Sequence, residues 1–144
     1  MTHEWETEPD RELWTDETTG YPCLIRRAPG GALCGYVAVP ESHPFFGASY
    51  AYVNDHDDGQ GRIDVHGSLT YAGKCDGDPI KGVCHVSDGE DEVWWFGFDC
   101  AHYMDCVPRI PRSRHLPYRN WAYVRAGVES MARQMRARAA AVPD

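Results

Sequence analysis

The sequence predicts an α+β fold: an antiparallel sheet of about four to six strands with a C-terminal amphipathic helix packed on one face. Three observations carry this expectation. Short runs of strand-forming residues recur between clusters of Pro, Gly and Asp. One run, Val93-Trp94-Trp95-Phe96-Gly97-Phe98, is the most aromatic stretch of the chain and reads as a central strand. Trp121, Val124, Val128, Met131 and Met135 recur at steps of three and four, which places them on one stripe of a helix.

In order along the chain, residues 1–20 form an acidic arm whose large apolar groups are Trp5, Leu13 and Trp14. Residues 21–144 form a single globular domain, the arm reading as loosely held with its tryptophans docked on that body, or as a free tail. Cys23-Leu24-Ile25 and Leu33 to Val39 are strands joined by Ala28-Pro29-Gly30-Gly31, whose turn chemistry predicts a β-hairpin. Pro40 to Pro44 is a loop that carries His43. Asn54 to Gly61 reads as a solvated polar loop, since it lacks the order of a calcium-binding loop. Ile63 to Tyr71 alternates apolar and polar residues, as a half-buried strand does. Gly73 to Glu92 is rich in Gly and Asp and reads as an elaborated loop. Asn120 is placed to cap the last helix, whose late arginines suit the negative end of its dipole.

Composition bounds the function classes. A chain of 144 residues suits one domain, which buries roughly 70% of its unfolded surface. With 42% hydrophobic and 12% aromatic residues it has enough apolar area to offset the entropy of ordering. No apolar run approaches a membrane span, and the first twenty residues lack a basic stretch followed by an apolar one. A cytoplasmic protein without membrane association is therefore expected, and its six cysteines read as reduced thiols. The net charge of −8 divides unevenly: residues 1–20 hold seven acids and one Arg, whereas residues 108–144 hold two acids and eight Arg. Such a chain is not expected to bind nucleic acid directly, yet its basic end can meet a phosphate.

The strongest chemical constellation is Asp99, His102 and Asp105, with His66 on the preceding segment and His43 in its loop. Imidazoles and carboxylates can hold zinc or another divalent metal and leave a position for an activated water. The same groups can work without metal, a His as general base and a carboxylate fixing its tautomer. The plainer reading makes Asp99 a turn cap, His102 a packed core residue and Asp105 a surface acid. Trp94 offers stacking surface, and Arg109 and Arg112, with Arg114 and Arg119, offer phosphate contacts. Cys75, Cys84, Cys100 and Cys106 lack the spacing of a structural zinc site and read first as buried thiols. Cys100 beside His102 is a weaker candidate nucleophile.

Several of these stretches resemble a family of small, uncharacterised bacteriophage and prophage proteins. The resemblance lies in Gly35-Tyr36-Val37 with Pro40 and His43-Pro44, in Val65-His66-Gly67-Ser68-Leu69-Thr70, and in Cys84-His85-Val86. It continues through Trp94-Trp95-Phe96-Gly97-Phe98-Asp99-Cys100-Ala101-His102 and Asp105 to Tyr123-Val124. The usual family form has two glycines after the His, where this chain has Gly67-Ser68. The resemblance implies a phage origin and a site at His66, Asp99, His102 and Asp105, and by analogy of genome context a role in countering host defence. The expected function is binding of a small, nucleotide-like ligand by a His/Asp pocket, with metal-assisted hydrolysis. The alternative is a non-catalytic inhibitor that binds a host protein through its acidic surface as a nucleic-acid mimic.

Overall fold

The computed structural model describes residues 3–56, 62–76, 82–84 and 92–140. Its elements are α1 (Glu4–Thr7), β1 (Arg11–Thr15), β2 (Pro22–Arg27), β3 (Leu33–Pro40), α2 (Tyr50–Asp55), β4 (Tyr71–Lys74), β5 (Val93–Asp99) and α3 (Trp121–Ala140). The strands form one antiparallel sheet in the order β1-β2-β3-β5-β4. The architecture is α+β, as the sequence predicts, with α3 lying across β2 and β3.

The β2–β3 hairpin turns where Pro and Gly allow it. The Gly31 N–H donates to the Ala28 carbonyl at 2.8 Å, and Pro29 and Gly30 lie between them. β5 is an interior strand, and its alternation serves two cores. Phe96 and Phe98 face α3 and pack with Ile25, Val37, Val128 and Met131. Trp95 faces the other way, packing with Leu24, Tyr36 and Val83.

The helix stripe behaves as its period requires. Val124, Val128, Met131 and Met135 are fully buried, and Trp121 packs at the margin. Asn120 caps the helix, its Oδ1 accepting the Tyr123 N–H at 2.9 Å. Close approach of α3 to the sheet needs a residue without a side chain below Val128. That residue is Gly35, where a Cβ would stand 2.5 Å from Val128 Cγ2 and 2.8 Å from Phe98 Cζ.

Three sequence expectations change. Ile63 to Tyr71 is not one strand, because Gly67 and Ser68 both hold left-handed backbone, at φ +68° and +67°. The chain turns there, the Ser68 N–H bonding the Val65 carbonyl at 3.0 Å, and pairing with β5 begins at Tyr71. Ile63 and Leu69 still reach the core, so the alternation recorded burial and not an extended backbone. The acidic arm contributes β1 to the sheet edge. Its Glu8 accepts the Trp121 N–H at 2.8 Å, where the positive end of the α3 dipole favours a carboxylate. Cys75 and Cys84 are joined in a disulfide, whereas Cys23, Cys34, Cys100 and Cys106 are buried free thiols. In the proposed solvated loop, Asn54 and Asp55 end α2, and residues 57–61 lie outside the described residues. So do most of the Gly73 to Glu92 loop and His85. Among the described residues, no helix is long and apolar enough to cross a membrane.

Candidate functional site

The site is assembled where the turn at residues 65–68 meets the loop after β5 and the first turns of α3. Two amide side chains clamp the turn. Gln134 accepts the Asp64 N–H and donates to the Asp64 carbonyl, at 2.6 and 2.8 Å. Asn54 does the same for Leu69, at 3.2 and 2.8 Å. His66 is carried between the clamps. The left-handed Gly67 beside it lets the His102 ring lie against the backbone, since a Cβ there would stand 2.1 Å from His102 Nε2.

Asp105 is the anchor. It is 1% exposed. Its carboxylate accepts from Arg119 Nε at 3.0 Å and from the His102 N–H at 3.0 Å. His66 Nε2 lies 2.8 and 3.0 Å from its two oxygens. Burial by itself would raise the Asp105 carboxyl, but the hydrogen bonds of His66, Arg119 and the His102 backbone outweigh it and hold the group below its ordinary range. Asp105 is thus a carboxylate that only accepts, so the hydrogen bond between it and His66 is donated by Nε2. His66 Nδ1 is left with its lone pair and faces the Tyr123 hydroxyl at 2.8 Å. The Arg119 guanidinium stands over the Tyr123 ring, 5.2 Å from its centroid.

This Asp-His-Tyr chain opens on a groove of about 360 Å³ lined by Val65, His66, Phe98, Tyr123, Gly127 and Ser130, among others. Phe98 forms the buried floor of the groove under Gly127, where a Cβ would stand 3.1 Å from Phe98 Cζ.

The structure brings His66, His102, Asp99 and Asp105 into one neighbourhood, the rings of His66 and His102 standing 5.8 Å apart. Their roles differ. Asp99 caps the turn after β5, accepting from the Ala101 N–H at 3.0 Å and from Thr70 Oγ1 at 2.8 Å, with His102 Nε2 at 3.4 Å. Both His66 nitrogens and both Asp105 oxygens are engaged by protein groups. Among the described residues no three His, Cys, Asp or Glu side chains form a group able to hold a metal ion.

His43 and Trp94 lie elsewhere. His43 is buried, its Nδ1 accepting the Phe45 N–H at 3.0 Å and its Nε2 donating to the Met135 carbonyl at 2.7 Å. Met135 is about 18 Å along α3 from Tyr123. Trp94 sits about 17 Å along β5 from Asp99, and its indole N–H donates to the Ala48 carbonyl at 2.8 Å. Arg109 bonds the Pro29 carbonyl and so braces the hairpin turn. Arg112 is exposed on the 3-10 turn Pro111–Ser113. Of the arginines in this stretch, Arg119 is the one that bonds Asp105. Cys100 is buried and its thiol is pushed upward by that burial, so it is no poised nucleophile.

Tyr123 appears in the sequence as an off-stripe residue in the first turn of a helix and at the end of the stretches that carry the resemblance, with no role attached to it. Its signal was position: a hydroxyl-bearing side chain at a helix start, where loops converge. No protein-family model, no curated protein and no solved structure matches the chain, so the chemistry of the site is read from its own geometry.

Proposed function

We propose that the protein binds a small organic ligand in the groove beside His66 and catalyses proton transfer on it, hydrolysis of an ester-type bond being the reaction class. One observation carries this reading. A buried carboxylate, Asp105, fixes the tautomer of His66 so that its free nitrogen meets the Tyr123 hydroxyl at the edge of an open groove. A fully structural network has no need of an adjoining cavity. The volume lies at the small end of ligand pockets, and the lining is mainly apolar with a few convergent polar groups.

The resemblance to phage proteins supports setting this activity in defence against a host and puts nucleotides into the panel of ligands. No step is assigned to a metal. The acidic-mimic alternative has less free acid to draw on than the composition suggests. Glu4, Glu8, Asp10, Glu12 and Asp16 of the arm all bond within the molecule.

The test is a thermal-shift and native mass-spectrometry panel of nucleotides, nucleosides and small uncharged esters. A ligand at about a hundred times its Kd stabilises by about 2.7 kcal/mol, or roughly 5–10 °C in a chain of this size. The shift is expected in the wild type and lost in Ala126→Phe, which fills the groove from an exposed lining position. A panel that gives no shift, no bound mass and no turnover removes the proposal.

A further inference from the structure

We infer that Tyr123 is a covalent nucleophile that accepts the acyl group of a small carboxylic ester, with His66 as its general base. This rests on the groove being a ligand site and names the substrate class and the attacking atom. Four observations converge. The Tyr123 hydroxyl lies 2.8 Å from His66 Nδ1, within the reach a general base needs. The base is itself oriented by a third group, Asp105, as an activated nucleophile requires. Tyr123 is 43% exposed and lines the groove, so its oxygen is reachable. Arg119 bonds Asp105 through Nε only, and its Nη groups have no hydrogen bond among the described residues. They belong to a guanidinium that stands over the Tyr123 ring, 5.2 Å from its centroid, and adds positive charge beside the attacking residue.

The lining selects the ester. Val65 and Ala126 offer apolar surface above the buried Phe98, and Asp64 is the carboxylate among the lining residues, which disfavours an anionic substrate. In the first step Tyr123 Oη bonds the ester carbonyl carbon while its proton passes to His66 Nδ1. The bond from that carbon to the alkoxy oxygen then breaks, and the departing alcohol takes the proton from His66. In the second step a water oxygen attacks the acyl-tyrosine carbonyl and gives its proton to His66 Nδ1. The carboxylic acid leaves, and the phenol oxygen regains its proton from His66. A phenol ester is an activated acyl group, so its hydrolysis does not stall the cycle, and for the same reason the substrate is an activated ester whose departing alcohol is at least as acidic as a phenol.

The molecule carries its own controls. Tyr52 and Tyr103 are more exposed, at 54% and 91%, and neither hydroxyl has a hydrogen-bond partner among the described residues. The intact protein is treated with p-nitrophenyl acetate and, separately, with an aryl sulfonyl fluoride, and modified residues are mapped by peptide mass spectrometry. Tyr123 is expected to react at least about a hundredfold faster than Tyr103, the low side of what a positioned base supplies. Asp105→Asn and His66→Asn, each checked for folding by circular dichroism, are expected to bring it down to the Tyr103 rate. Tyr123→Phe is expected to abolish the p-nitrophenol burst. Labelling of Tyr103 as fast as Tyr123, or a burst that persists in Tyr123→Phe with the acyl group on His66, overturns the inference. A ligand-induced thermal shift that survives in a protein without Tyr123 labelling leaves the binding groove standing and removes only the nucleophile. Absence of both removes the two together.

Discussion

His66 and His43 show how two imidazoles come to opposite uses. His43 has both nitrogens satisfied in the core, and burial, with Arg138 nearby, pushes its pKa below the ordinary 6.5. The folded state therefore binds fewer protons than the unfolded chain just below pH 6.5, so stability must fall as the pH drops through that range. Asp105 acts further down. Its depressed carboxyl contributes stability that is complete above the ordinary carboxylate range and is lost as the pH falls through its lower folded value. Thermal unfolding of the wild type is expected to weaken from pH 6.5 downward and again below about pH 4. His43→Asn is expected to be less stable at pH 7 but to lose the first of these two slopes. A wild-type melting temperature that stays level from pH 7 to pH 5 contradicts the assignment.

Among the elements, α3 is the one on which both core and site depend. Its stripe and its Asn120 cap were legible because a helix that buries one face repeats apolar residues at its own period. The contact with Gly35 was not, since nothing near residue 35 says which helix residue lies above it. Gly35→Ala is expected to cost about 1–3 kcal/mol by overpacking against Val128 and Phe98, measured by urea unfolding. Adding Val128→Ala should recover part of that loss, whereas independent costs that simply add would deny the contact. The turn at residues 65–68 is the complementary case. Ile63, Val65 and Leu69 gave the right burial but the wrong backbone, because only φ values at Gly67 and Ser68 distinguish a bent path from a strand.

For the whole molecule, the acidic arm and the disulfide change how the composition is understood. The net charge of −8 described a chain with an acidic end; in the fold, acids of that end meet Arg27, Arg125 and the start of α3. The Cys75–Cys84 bond holds Val83 near the second core, over Leu24, Tyr36 and Trp95. Closing a loop with a sequence separation of 9 stabilises by roughly 2–3 kcal/mol. Reductant is expected to lower the wild-type unfolding free energy by that amount and to leave Cys75→Ala/Cys84→Ala unchanged. Equal sensitivity of the two proteins to reductant would show that the bond does not stabilise the fold. Such a bond is characteristic of oxidising surroundings, which corrects the reading of these two cysteines as reduced thiols.

By itself the sequence determined the fold class, the hairpin, the aromatic interior strand, the capped helix and the closeness of Asp99, His102 and Asp105 to one another after β5. Each is written in a local pattern, a turn residue, a period or a short spacing, and local patterns report which face is buried. Tertiary structure alone decided that Asp105 and not Asp99 holds His66, that Arg119 and Tyr123 complete the group, and that a groove opens beside them. Those contacts join segments up to 57 residues apart. Their geometry depends on two left-handed residues and on where α3 begins over the sheet, and no periodicity along the chain encodes either.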